Sequence, residues 1–346
     1  MADALITLLI RVQYSLDAGK TWVTETDGSI EVPPVIVDPP PVITPPSKGR
    51  VALVGKSGLG FNSIRFAGGA PSSADLKTAA TARGRAYDGD LWFTARNSWD
   101  AFRTGWGDTK AMLDAGLLVV TSLPHAPESE GAAMNGKGAN DAYAAEQRSF
   151  GAWLKSSGLD VANHVLRVDW EFNGDWFKWS AANPGLKLAL QHFVTNVRAG
   201  GATNVRFDLC ANQPSVTGKT WADVFPGAEY IDVIGIDQYD QYPPSFTQAT
   251  WYSKQAQTLS MTGAATFAAS QGIQWSLDEC GNTHGSGSAF GGDNPAYWGF
   301  LAATLKANAA NAAWWNTFDQ AGTGGLDHTL ADNPKSFAEY KRLFGA

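Results

Sequence analysis

The chain is poor in the residues that announce a metal or redox centre, with two cysteines and five histidines among 346 residues. Cys210 and Cys280 form no CxxC and cannot build a disulfide framework, so both are read as buried thiols. His164, His192, His284 and His328 are scattered without ligand spacing, so zinc and iron are not expected and no cofactor is implied. Charged residues make up only 17% and the formal net charge is −7, which removes the basic footprint of a nucleic-acid partner. No run approaches the roughly 18 apolar residues of a membrane span, so no membrane partner is expected. At the start, MADALITLLIRVQYS has Asp3 where a basic region belongs, and Arg11 ends the apolar stretch, which makes a poor signal peptide. Gly55-Lys56-Ser57 lacks the first glycine of a phosphate-binding loop, and no GxSxG nucleophile elbow occurs. Tryptophan, by contrast, is abundant. Fourteen of them in a chain that is 44% hydrophobic promise a large core and flat faces on which rings stack.

Proline divides the chain unevenly. Residues 33–46 hold seven prolines, a composition that favours an extended, semi-rigid spacer. The organisation read from this is a short β segment at 1–32, a Pro-rich linker at 33–50 and one large domain at 51–346. In the first piece Ile6, Leu8, Ile10, Val12 and Tyr14 alternate, and Asp17-Ala18-Gly19 turns the chain into Thr21-Trp22-Val23-Thr24. A lone hairpin is marginal in water, so this piece is expected to dock to a partner chain or larger assembly; a truncation boundary explains it equally well.

Beyond the linker, strand patterns at 51–54, 91–94, 117–122, 165–170, 205–209, 233–236, 273–277 and 313–317 alternate with helical ones. The helical patterns lie at 141–157, 186–199, 251–270 and 297–307. Eight strands alternating with helices over nearly 300 residues predict an α/β fold, a (β/α)8 TIM barrel. In such a barrel the working residues sit where strands end at their C-terminal face. The fourth predicted strand runs into Asp169-Trp170-Glu171-Phe172-Asn173-Gly174, and the seventh into Asp278-Glu279-Cys280-Gly281. Glu171 and Glu279 therefore face each other across the opening. A carboxyl pair of this kind is what glycoside cleavage needs, one to protonate the leaving oxygen and one to meet the developing oxocarbenium centre.

The stretch from Arg167 through Asp169-Trp170-Glu171-Phe172-Asn173-Gly174-Asp175-Trp176 to Trp179 resembles the acid/base segment of glycoside hydrolase family 26, the mannanase-type enzymes. The segment from Ile231 to Asp237-Gln238-Tyr239 is similar to the family's sixth strand, and Glu279 falls at its nucleophile position. The resemblance implies a retaining, endo-acting glycosidase with Glu171 as acid/base and Glu279 as nucleophile. It further implies that Tyr239 orients Glu279 and that Arg167 lies beneath the pair, either as a structural ion-pair partner or with a direct role. Substrate contacts are then assigned to Trp170, Asn173, Trp176, Trp179, His125 and Trp315, with Asn173 open to the alternative of anchoring its loop. Trp314 and Trp315 are successive in a strand, so at most one of them faces inward, and Trp315 is taken as that one. The family carries His immediately before the acid/base Glu where this chain has Trp170, which implies a divergent branch acting on a glycan other than mannan. The implied partner is a polysaccharide or oligosaccharide, and the implied location is extracellular or virion-associated. Two other readings share the pattern, namely a glycan-binding barrel without turnover and a virion-borne depolymerase attached through residues 1–32.

Overall fold

The computed structural model describes residues 13–15, 22–24, 50–322 and 326–345. Near the start, β1 (Gln13–Ser15) and β2 (Trp22–Thr24) pair antiparallel with Tyr14 opposite Val23. The rest of the predicted alternation from Ile6 to Val12, and the Pro-rich stretch 33–46, lie outside the described residues.

The large domain is built on β3 (Asn62–Phe66), β4 (Gly89–Phe93), β5 (Leu118–Leu123), β6 (His164–Val168), β7 (Arg206–Asn212), β8 (Val233–Asp237), β9 (Gln274–Cys280) and β10 (Ala312–Thr317). They pair in parallel in the closed order β10-β3-β4-β5-β6-β7-β8-β9. With its helices, this is the predicted (β/α)8 TIM barrel. Among the described residues no helix is long and apolar enough to cross a membrane.

The first barrel strand is a correction: it is Asn62–Phe66, whereas 51–54 forms no strand. Ile64 and Phe66 point into the barrel, and Arg65 points out to pair with Asp90 at 3.0 Å. That central arginine hides the alternation from a search for continuous apolar runs. Leu53 instead packs with the inward-facing core, and Gln274 at the start of β9 holds its N–H and C=O at 2.8 and 3.1 Å. The segment thus closes the N-terminal end of the barrel. Gly55-Lys56-Ser57 also finds a structural use there. The Lys56 and Ser57 N–H groups donate to Asp88 Oδ1 at 2.8 and 2.9 Å, so the turn cradles a carboxylate of the protein itself.

Most of the tryptophans are packing residues. Trp92, Trp179, Trp221, Trp251, Trp275, Trp298, Trp314 and Trp315 are all fully buried. Several lie between the barrel's outer face and its helices with the indole N–H satisfied, as in Trp275 Nε1 donating to Asn308 O at 2.9 Å. The helices Ala144–Ser156, Leu186–Ala199 and Pro295–Ala307 lie where expected. The predicted helix at 251–270 is two, Gln248–Gln255 and Met261–Ser270. Ser260 starts the second by accepting the Gly263 N–H at 3.0 Å, a capping bond that periodicity alone does not reveal.

Candidate active site

Strand β6 has the sequence His-Val-Leu-Arg-Val, and its alternation sends Leu166 and Val168 outward and Val165 and Arg167 inward. Arg167 is fully buried, yet each nitrogen of its guanidinium has a partner. Nη1 donates to Glu279 Oε1 at 2.6 Å, Nη2 to Asp237 Oδ2 at 2.5 Å and Nε to Asp278 Oδ2 at 3.2 Å. A shift in register between β8 and β9 sets Asp237 opposite Glu279. This irregularity lets the successive residues Asp278 and Glu279 both reach the same guanidinium. Tyr239 Oη donates to the other Glu279 oxygen at 2.6 Å. Burial, and then the charge of Glu279, push the Tyr239 phenol well above its usual pKa, so it keeps the proton it donates.

One guanidinium cannot balance three carboxylates. A fourth, Asp208, converges with Asp278 over Gly235, where an added Cβ would lie 2.1 Å from Asp278 Oδ2 and 2.9 Å from Asp208 Oδ1. Burial and the adjacent Asp278 push Asp208 well above the carboxylate range, so it holds a proton. Among the described residues, Cys210, Asp237 and Asp278 cluster closely enough to hold a metal, but Arg167 already supplies the cation there. Both cysteines are free thiols.

After β6 the chain bends sharply. Asp169 and Glu171 take φ of +53° and +51°, a left-handed conformation that costs a non-glycine residue on the order of 1–3 kcal/mol. Asp169 is held there by the His125 N–H at 2.9 Å and by His125 Nδ1 at 2.7 Å. Burial opposes protonation of His125, but the Asp169 charge outweighs it and the pKa is raised. The bend delivers Glu171 to the mouth, where Trp176 Nε1 donates to its Oε2 at 2.8 Å. Enclosure by protein, then the charge of Glu279, raises Glu171 to about 7, against the smaller opposing effects of Trp176 and Arg167. The two glutamates therefore differ as an acid and a base must, since one is protonated near neutral pH and the other is held between a guanidinium and a phenol.

Glu171 and Glu279 share one open cavity of ≈ 1140 Å³, with Trp170, Trp176 and Tyr239 on its walls. The other predicted substrate contacts fall elsewhere. Trp179 is buried behind Trp170, donating Nε1 to its carbonyl at 2.7 Å. Asn173 anchors its loop, with Nδ2 donating to Asn212 O and Oδ1 accepting the Asn212 N–H, both at 2.7 Å. His125 is fully buried beneath the bend. Trp315 faces outward against Phe344, with ring centroids 4.2 Å apart, while Trp314 is the member of the pair that points into the barrel. These four cannot touch a substrate in the cavity.

Several wall residues escaped the sequence reading. Phe66 and Phe318 stack at 4.3 Å, and both line the cavity. Arg96, just past β4, lies 5.3 Å from the Trp170 ring centroid, and the strand-end rule applied to the second strand would have found it. His328 comes from the loop after β10, where no periodicity marks it.

Residues 153–278 match the model of Glycosyl hydrolase family 26, a stretch that includes Arg167, Glu171, Asp237 and Tyr239 and stops one residue short of Glu279. Endoglucanase H of Acetivibrio thermocellus is 31% identical over 108 residues, 29% of this chain, and the match spans only 12% of that protein's length. Two solved structures share the fold. The Cellulomonas fimi endo-β-1,4-mannanase double mutant aligns with a TM-score of 0.59 at 16% identity, covering 80% of this chain and 70% of that one. The catalytic domain of the Bacillus sp. JAMB-750 endo-β-1,4-mannanase aligns with a TM-score of 0.56 at 17% identity, covering 83% and 87%. The barrel thus shares its fold with these two mannanase structures, and its residues 153–278 are similar to glycosyl hydrolase family 26.

Proposed function

We propose that the barrel is a retaining glycosidase that cleaves within a β-1,4-linked polysaccharide, with Glu171 as acid/base and Glu279 as nucleophile. The observation that carries this reading is the asymmetry of the two carboxyls in one cavity. Glu171 is held near pKa 7 with one donor, and Glu279 is clamped by Arg167 and Tyr239. Glu171 gives its proton to the glycosidic oxygen as that bond breaks, while a Glu279 oxygen bonds to the anomeric carbon and forms a glycosyl ester. Esterification removes the negative charge that helped raise Glu171, so its pKa falls and it becomes a base. It then takes a proton from water, whose oxygen attacks the anomeric carbon and releases Glu279.

Trp176, 46% exposed, supplies an apolar face for a sugar ring with Trp170 packed in the wall beside it, and a cavity open at the barrel mouth suits a chain bound along its length. The relatives named as endo-β-1,4-mannanases and an endoglucanase support a β-1,4 linkage. A substrate of that size is met outside the cell, and the Pro-rich stretch at 33–46 motivates the alternative of attachment to a virion.

The test is a panel of β-1,4-mannan, β-1,4-glucan and bacterial polysaccharides, read by release of reducing ends and by the anomeric configuration of the first product. Retention with Glu279→Ala inactive by on the order of 10⁴-fold or more is the expected result. Turnover that survives Glu279→Ala, or an inverted product, overturns the mechanism.

A further inference from the structure

One side chain on the cavity wall keeps a ring nitrogen for which the described residues supply no hydrogen-bond partner. His328 is only 5% exposed and lines the cavity together with Glu171 and Glu279. Its loop is fixed on both sides of the ring. The His328 N–H donates to Gln320 O at 3.1 Å, and Asp327 exchanges backbone hydrogen bonds with His284 at 2.8 and 3.1 Å. The imidazole lies on the Tyr239 ring at 4.4 Å between centroids and meets the Phe318 ring edge-on at 5.6 Å. Rotation of the ring is therefore blocked.

The tautomer follows from the neighbours. Nδ1 lies 2.9 Å from Asn282 O, a carbonyl that can only accept, and 3.3 Å from Thr283 Oγ1, which accepts as readily as it donates, so the shorter contact assigns the hydrogen to Nδ1. In the neutral ring Nε2 then has a bare lone pair. Burial lowers the His328 pKa below its usual 6.5, against the raising effect of Glu279 and Asp327, and so favours that neutral ring. Among the described residues no group donates to Nε2. A Cβ added at Gly322 would lie 3.0 Å from Nε2, so any side chain there would crowd the lone pair. A fixed acceptor with its other nitrogen satisfied is not needed for packing, which a phenylalanine would serve as well.

We propose that His328 is a substrate-contacting residue whose Nε2 accepts a free hydroxyl of the sugar ring seated between Glu171 and Glu279. The assignment rests on the glycosidase reading. β10 lies four strands from β6 around the closed barrel, so His328 serves the wall opposite Trp170 and Trp176. A sugar ring stacked on Trp176 from one side presents its hydroxyl edge to the other. An acceptor at that place favours an unsubstituted hydroxyl over a carboxylate, which brings only lone pairs.

The experiment compares wild type, His328→Leu and His328→Gln on whichever of β-1,4-mannan and β-1,4-glucan the wild type cleaves, with the Tm of each variant as control. Loss of one neutral hydrogen bond is expected to lower kcat/KM about tenfold in His328→Leu, with most of the activity recovered in His328→Gln, whose amide oxygen reaches the Nε2 position. A second measurement needs no variant. The nitrogen NMR of ¹⁵N-histidine protein should show protonated Nδ1 and bare Nε2 for His328, and the Nε2 signal should move when mannotetraose or cellotetraose is added. Wild-type kinetics in His328→Leu, or a protonated Nε2 in the free protein, overturns the assignment while the glycosidase reading stands. A wild type that cleaves no polysaccharide of the full panel and binds neither tetraose overturns both.

Discussion

The barrel interior has two halves made from the same strands. Toward the N-terminal end, Leu53, Ile64, Leu91, Leu118, Val120, Val165, Val233 and Trp314 form an apolar floor. Toward the C-terminal end, Arg167, Asp208, Asp237, Asp278 and Glu279 form a charged mouth with one guanidinium among four carboxyls. The exchange happens within two residues on β6, from Val165 to Arg167, and across Gly235 on β8, from Val233 to Asp237. The floor is held by burial, and a buried hydrophobic residue there contributes stability in proportion to its area. The mouth is different in kind. Buried ion pairs roughly break even against their desolvation cost, so its arrangement is better understood as positioning Glu279 than as holding the fold.

The sharpest way to break this comparison is Arg167→Leu. With Asp237, Asp278 and Glu279 left without their cation, destabilisation of roughly 3–5 kcal/mol is expected in denaturant unfolding, with turnover at background. Unchanged stability would mean that the carboxyls simply take up protons. Leu53→Ala should cost about 2–5 kcal/mol through the cavity it leaves in the floor, while kcat of the remaining folded protein stays at the wild-type value. A comparable fall in kcat would show that floor and mouth are mechanically coupled. Gly235→Ala tests the boundary between them, because its Cβ falls 2.1 Å from Asp278 Oδ2. Overpacking of about 1–3 kcal/mol is expected together with a fall in kcat, since Asp278 shares Arg167 with Glu279.

The smallest effect concerns protons alone. Glu171 sits at about 7 and must be protonated to act as acid, so kcat/KM should fall as pH rises through about 7, and Glu171→Gln should remove that limb. The Trp176 N–H stabilises the ionised form of Glu171, so Trp176→Phe should move the limb to higher pH by less than about one unit. A move to lower pH would show that the indole serves mainly to exclude water.

Much of this was legible without coordinates because strand ends are local features. Arg167, Glu171, Tyr239 and Glu279 each close or follow an apolar strand, and the C-terminal face of a barrel gathers whatever its strands end on. Tryptophan was a weaker guide. Of the six predicted contacts only Trp170 and Trp176 reach the cavity wall. A ring that packs and a ring that stacks on sugar have the same composition and differ only in what covers them. Asp208 was invisible for a related reason, since a carboxyl in mid-strand gains meaning only when Asp278 of another strand meets it over a glycine.

The sequence by itself determined the alternation of strands and helices, and with it the barrel, because burying one face of every element requires local periodicity. It also determined which carboxyls end the strands. Only the tertiary structure decided that Trp314 faces in and Trp315 out, that Leu53 closes the floor, and that His328 lines the cavity of Glu279. Each depends on residues far apart in the chain meeting at close range, and no local pattern records which partner a side chain will find.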